Sequence, residues 1–404
     1  MLLSLRVIHF TSVYPRFHGD VHGWFIEELC RQLAELGCEV HVLCPHDGSS
    51  PLVEESHGVM VHRFTYLLSR RGNKLTYRAG MKDNVSLAAS GVAAILAAAQ
   101  LPSYLRAAAS SLRKLIRKLT PDLVNAHWTV PQGLISALEH PNTVITEHGL
   151  EFKGRVLGVS LAPLAKVAFQ RARVVVVNSR YMREQVKKLT STPVVTIRMG
   201  VKPPRVEPRG SEPVVLACGF LIPRKGFHHL VAAFSIVKRE LKDAQLVIVG
   251  EGPMMESLRS LARRLGVEGA VHLVGKLTWR QLWSEYLRCA VFAHPALEEG
   301  LGLVIAEAMS AGKPVVAYDS GGPRDLIVDG VTGFLVPPGD ILGLADRIRV
   351  LLEDPRLARE MGARGRELIQ RRMSFKLIAR MYVRVYRAVL AHVGCRQLPQ
   401  PVRL

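Results

Sequence analysis

Short runs of β-branched and aliphatic residues recur along the chain, each followed by a stretch whose apolar positions repeat at helical spacing. Runs at 6–11, 39–44, 123–126, 143–147 and 174–177 predict strands in the first half. A second set falls at 214–217, 245–249, 270–273, 291–293 and 314–317. Strand alternating with helix is the signature of βαβ units and a parallel sheet. Between the two sets lie four prolines within 203–213 and no apolar period, which reads as an interdomain linker. The pattern therefore predicts an α/β protein of two Rossmann-like halves, 1–202 and 214–374. Two domains also suit a length of 404 residues. In such sheets ligands bind at the carboxyl ends of the strands, so candidate chemistry is sought there.

One apolar stretch breaks the rhythm. No residue from 84 to 105 is charged, and 85–99 is mostly Ala, Val, Leu and Ile. A spanning helix needs about 20 predominantly apolar residues; here Asn84, Ser86, Ser90, Gly91, Gln100, Pro102 and Ser103 interrupt the run. It reads as a buried or interfacial helix, with a shallow membrane dip as the alternative. The next stretch sets Arg113, Lys114, Arg117 and Lys118 beside Leu112, Leu115 and Ile116. That is a basic amphipathic helix, either lying on an anionic bilayer or simply a solvated surface helix.

The most informative segment runs from Glu298 to Val316. It follows a strand ending at 292–294, passes a loop at Glu299-Gly300-Leu301-Gly302, and opens a helix near Leu303. The glycines let backbone approach a ligand, and free N–H groups at a helix start form an anion site. Glu299 in the loop and Glu307 on the helix are acceptor-only groups suited to sugar or ribose hydroxyls. The competing reading of Glu307 is electrostatic support of the helix start. Gly250-Glu251-Gly252-Pro253 ends another strand, either along a ligand or as a plain turn into a helix. His148 follows the strand 143–147, and His127-Trp128 ends the strand before it. An aromatic face there suits a sugar, and a packed Trp is the alternative.

The order and spacing of these segments resemble the retaining glycosyltransferases of family 4, which have the GT-B fold. The likeness rests on Glu299-x7-Glu307 followed by Ala-Met-x-x-Gly-x-Pro-Val-Val, on Gly219-x5-Lys225-Gly226, and on Gly321-Gly-Pro-Arg-Asp. In the first half it rests on Asn125-Ala-His-Trp128-x-x-Pro-x-Gly133 and Thr146-Glu-His-Gly149. The resemblance implies two Rossmann-like domains facing each other across a cleft, with a helix from about 375 returning to the N-terminal domain. It implies a nucleotide diphosphate sugar as donor and substrate, no cofactor and no metal, in keeping with the lack of any Asp-x-Asp. Glu299 would hold hydroxyls of the transferred sugar, Glu307 the ribose, and backbone N–H groups around Gly302 and Leu303 the distal phosphate, with Gly300 and Leu301 beside them in the donor site. Lys225 would neutralise the departing diphosphate, and His148 would sit at the reacting carbon. Gly250, Glu251 and Leu277 would lie along the nucleotide; Gly23, His127 and Trp128 would serve the acceptor. The family usually places Arg after the glycine of the Gly219 motif; here Phe220 stands there. Arg224 is the candidate replacement cation, with a solvated charge as the competing reading. The same fold also houses sugar-phosphate synthases and nucleotide-sugar epimerases, and Phe220 alone motivates a non-catalytic partner subunit.

Charge changes the picture last. Lys and Arg number 54 against 34 Asp and Glu, a net +20, which implies an anionic partner. The excess is concentrated, with 11 basic against 2 acidic residues in 151–202 and 14 against 5 in 341–404. Only 6% of residues are aromatic and none interleave with basic runs, which argues against nucleic acid. With Arg70, Arg71, Lys74, Arg78 and Lys82 added, the charge points to an anionic membrane surface and a lipid-linked acceptor. The six scattered cysteines and the lack of a leader-like start fit a cytoplasmic enzyme, peripheral at the inner face of the membrane.

Overall fold

The computed structural model describes residues 4–17, 20, 22–67, 92–156, 159–203 and 212–391. His18, the basic run 70–82, residues 84–91 and most of the 203–213 linker lie outside them. The chain divides into two compact units, Met1–Gly200 with Phe375–Leu404, and Val201–Ser374.

The first unit is built on an eight-stranded sheet. Its strands are Arg6–Phe10 (β1), Glu39–Pro45 (β2), Val53–Ser56 (β3), Val59–Phe64 (β4), Leu123–His127 (β5) and Thr143–Glu147 (β6). After a small ribbon of Arg155–Val156 (β7) and Val159–Ser160 (β8) come Val174–Val177 (β9) and Val194–Thr196 (β10). The order is β10-β9-β6-β5-β1-β2-β4-β3, parallel except where β3 turns back on β4. Helices Trp24–Glu35 (α1), Val92–Leu119 (α2), Leu134–Glu139 (α3), Ala162–Arg171 (α4) and Arg180–Lys187 (α5) connect them. The central strands β5, β6 and β9 are buried at every residue, as expected of parallel strands covered on both faces.

The second unit has a six-stranded parallel sheet in the order β13-β12-β11-β14-β15-β16. These are Val214–Cys218 (β11), Gln245–Val249 (β12), Val271–Gly275 (β13), Val291–His294 (β14), Val315–Tyr318 (β15) and Gly333–Val336 (β16). Phe227–Glu240 (α6), Met255–Arg264 (α7), Trp279–Arg288 (α8), Leu303–Ser310 (α9), Ile341–Glu353 (α10) and Pro355–Arg372 (α11) flank it. Starts are encoded locally. Thr278 and Gln281 form a capping box on α8, and Asp354 caps α11 with Pro355 as its first residue. The last helix, Phe375–Leu390 (α12), belongs to the first unit, where Ile378, Tyr382, Val385 and Tyr386 share a core with α1 and the sheet.

One expectation changes. The apolar and basic stretches after residue 91 form one helix, α2, with Pro102 inside it; the Ala, Leu, Lys and Arg that follow are strong helix formers and hold no second breaker. Its Tyr104, Ala108, Leu112 and Leu115 pack inward against β1 and β4 residues, while Arg113, Lys114, Arg117 and Lys118 are exposed. The apolar face of α2 from Tyr104 to Leu115 is thus consumed by the unit's own core. Among the described residues no helix is long and apolar enough to cross a membrane.

Candidate active site

In the second unit, three loops at the carboxyl ends of the neighbouring strands β11, β14 and β15 converge. The loop after β11 lies on the loop after β14: a Cβ on Gly226 would sit 2.0 Å from the Pro295 carbonyl oxygen, and Leu297 N–H donates to the Arg224 carbonyl at 2.8 Å. That contact brings Lys225 to Glu299, Nζ donating to Oε2 at 2.5 Å. His294, the last residue of β14, donates from Nε2 to the same oxygen at 3.0 Å. The loop after β15 closes the third side. Gly322 N–H donates to the Glu299 carbonyl at 2.9 Å, and Glu299 N–H to that of Ser320 at 3.2 Å. A Cβ on Gly322 would lie 2.5 Å from the backbone of Gly300 and Leu301, so the Gly321-Gly322 pair is what lets these loops touch.

Burial alone would push the Glu299 carboxyl up, but the Lys225 ammonium and the His294 bond hold it well below the ordinary range. Glu299 is therefore a fixed carboxylate. His294 is lowered by burial despite that neighbour, so it serves as a neutral donor. Gly302 adopts φ 86° as the residue before α9, and the N–H groups of Leu303 and Val304 precede the first intrahelical bond, made by Ile305. Glu307, half-buried further along α9, accepts from the Tyr286 hydroxyl at 2.9 Å. Burial pushes its carboxyl up to about 7 and the Tyr286 bond only partly offsets this. Cys218 lies 3.2 Å behind the same hydroxyl.

The structure thus brings Lys225, Glu299, Gly300, Leu301, Gly302 and Leu303 together, with Glu307 a turn further on. Gly250 is used in packing: its Cβ would meet the Gly219 carbonyl oxygen at 1.9 Å. Glu251 is exposed, and its carbonyl accepts from Leu221 at 2.8 Å. Leu277 is half-buried beyond β13. Arg224 is exposed and has no ion-pair partner among the described residues.

In the first unit, His148 sits directly after β6. Its ring lies edge-on to Phe25, 4.9 Å between centroids, and 5.0 Å from Trp128. Gly23 takes φ 73° as α1 begins, and a Cβ there would meet the Val13 carbonyl oxygen at 2.8 Å. Trp128 is half-buried with φ 67°. His127 differs from the acceptor role expected of it. β5 runs one residue further than the pattern predicts, the ring is fully buried, and its nitrogens bond His9 at 2.9 Å and His148 at 2.8 Å. A ring sealed on both nitrogens cannot meet an acceptor. Sequence reasoning missed His9, His294, Tyr286 and Tyr386. A histidine inside an otherwise apolar strand run was the available signal for the first two.

Loops gathered at the ends of parallel strands, two carboxylates, one lysine and a helix start form a candidate site whose groups suit a hydroxyl-rich phosphorylated ligand. Residues 202–368 match the family described as glycosyl transferases group 1, and residues 23–205 match glycosyltransferase family 4. The chain belongs to family 4 of the glycosyltransferases, with the GT-B fold, and is a glycosyltransferase that uses a nucleotide sugar. It is 32% identical over 288 residues to the GDP-mannose-dependent alpha-(1-6)-phosphatidylinositol monomannoside mannosyltransferase of Mycolicibacterium smegmatis, covering 64% of this chain and 74% of that protein. It is 29% identical over 303 residues to the glycogen synthase of Mycobacterium tuberculosis, covering 70% and 72%. Sucrose-phosphate synthase from Thermosynechococcus elongatus shares the fold with a TM-score of 0.73 at 23% identity, over 96% of this chain and 100% of that one.

Proposed function

We propose that the protein transfers a hexose from a nucleoside diphosphate sugar to a hydroxyl of a lipid-linked acceptor at an anionic membrane surface, with retention at the anomeric carbon and without a metal ion. The observation that carries this reading is the Lys225–Glu299 pair beside the start of α9. Lys225 and the α9 N–H groups supply the positive charge that a departing diphosphate needs, which makes a divalent cation dispensable. Glu299, held ionised, accepts hydrogen bonds from sugar hydroxyls, and Glu307 from the ribose diol. In the transfer, the acceptor oxygen bonds to the anomeric carbon on the face the diphosphate leaves, as the bond from carbon to phosphate oxygen breaks. The acceptor's hydroxyl proton passes to the departing phosphate oxygen. His148 donates a hydrogen bond to a substrate oxygen, and Trp128 offers an aromatic face to the acceptor.

A lipid acceptor is supported by the M. smegmatis relative, whose name specifies a phosphatidylinositol mannoside, and by the exposed cationic face of α2. Lys114 and Lys118 border a groove of about 260 Å³ whose floor includes Phe64 and Leu115. Because Leu112 and Leu115 beside these cations are buried, attachment here is electrostatic, at about 1 kcal/mol per basic residue near an anionic leaflet. Sedimentation with vesicles tests it. Binding to anionic vesicles at low salt and release at high salt are expected, whereas equal partitioning onto neutral vesicles, or turnover only with soluble glucan primers, would contradict the lipid reading.

A further inference from the structure

Histidines at the carboxyl ends of three neighbouring parallel strands stack into a column: His9 is the penultimate residue of β1, His127 the last of β5, and His148 follows β6. His9 of β1 and His127 of β5 lie 5.2 Å apart between centroids, and His127 and His148 5.1 Å apart. Behind the column a line of buried polar groups reaches α12. Tyr382 O–H lies 3.4 Å from Thr146 Oγ1. Thr146 Oγ1 is 2.8 Å from Asn125 Oδ1, Asn125 Nδ2 is 2.7 Å from the Tyr386 hydroxyl, and that hydroxyl is 3.5 Å from His9 Nε2. His9 Nδ1 then meets His127 Nε2 at 2.9 Å, and His127 Nδ1 meets His148 Nε2 at 2.8 Å.

Each hydroxyl of this line has one proton and each neutral ring one donor and one acceptor nitrogen, so reversing a link leaves a buried O–H without an acceptor. Burial keeps the three rings neutral, lowering His9 and His148 to about 3 and His127 well below its ordinary value. Tyr382 sets the direction. Its buried hydroxyl has Thr146 as its hydrogen-bond partner among the described residues, and a buried O–H left without an acceptor is costly. Thr146 must then donate to Asn125 Oδ1, which turns the Asn125 amide nitrogen toward Tyr386. Tyr386 donates to His9, His9 from Nδ1 to His127, and His127 from Nδ1 to His148.

We propose that this line holds His148 as the Nδ1–H tautomer, so that its remaining donor faces substrate, and that His9, His127 and Tyr386 are positioning residues for the transfer. The substrate role of His148 rests on the function proposed above; the tautomer does not.

Long-range proton–nitrogen correlation spectra of the histidine-labelled full chain test this directly. In the wild type, Nδ1 of His9, His127 and His148 should show the protonated signature and Nε2 the unprotonated one. Tyr386→Phe cuts the line: His148 should become a mixture of tautomers, and kcat should fall roughly tenfold with donor KM unchanged. A melting curve of the variant checks its fold. An Nε2-protonated His148 in the wild type, read without any variant, would overturn the proposal. So would a folded Tyr386→Phe protein whose His148 tautomer and kcat are unchanged. A folded wild type that turns over no donor would overturn the transferase reading instead, and the spectra would still decide the tautomer.

Discussion

Two carboxylates sit on one short segment, and their surroundings drive them apart. Glu299 meets an ammonium and an imidazole and stays ionised; Glu307 meets a phenol and apolar surroundings and titrates near neutrality. In the proposed ribose-binding role, only the ionised form of Glu307 accepts from both hydroxyls, so donor affinity should be full above pH 7 and fall as pH drops through about 7. Glu307→Gln should weaken nucleoside diphosphate binding about tenfold and flatten that dependence. Tyr286→Phe removes the bond that lowers Glu307, and should move the midpoint upward. Calorimetric titrations between pH 6 and 8 read all three. Glu299 and Glu307 stand out in the sequence as candidates because their spacing is tied to a loop and a helix start. Tyr286 and His294 were not, since a polar side chain's partner depends on which strands become neighbours, and spacing along the chain does not carry that.

At the scale of elements, the site depends on loops packed backbone to backbone, and glycine is the residue that permits it. Gly302 both adopts a left-handed conformation and abuts its neighbours, with a Cβ placed 2.8 Å from Ile305 and 3.5 Å from Glu299. Gly302→Ala should therefore destabilise the protein by about 1–3 kcal/mol. Thermal melting checks this, and an unchanged melting temperature would show that the helix start is not strained by a side chain. The ten expected strands all formed because central parallel strands are continuous apolar runs. Six further strands escaped notice: β7, β8, β10 and β16 are only two to four residues long, and β3 and β4 lack a continuous apolar run. β3 is an exposed edge strand. β4 buries Arg63 through an ion pair with Glu54 and sets His62 3.1 Å from His41, pairings that local pattern does not announce. α2 was split in the reading because charge changes halfway along it, while helix propensity does not.

For the whole molecule, the net +20 first suggested any anionic partner, and the structure narrows what such contact can be. Arg113 is tied to Glu139, Tyr104, Ala108, Leu112 and Leu115 of α2 are spent inside the first unit, and Lys114, Arg117 and Lys118 beside them act through charge. The residues proposed for the chemistry lie elsewhere, in the strand-end loops of each unit. The central claim is that the chain moves a sugar from a nucleoside diphosphate with its anomeric configuration kept. The most direct test incubates the full chain, with chelator present, with a panel of nucleoside diphosphate sugars and mannolipid acceptors in anionic vesicles. Nucleoside diphosphate release is followed, and the new linkage is read by NMR. Release of the diphosphate together with a product of the donor's own configuration is expected. An inverted product, or a folded protein that neither binds nor consumes any donor, would contradict the account.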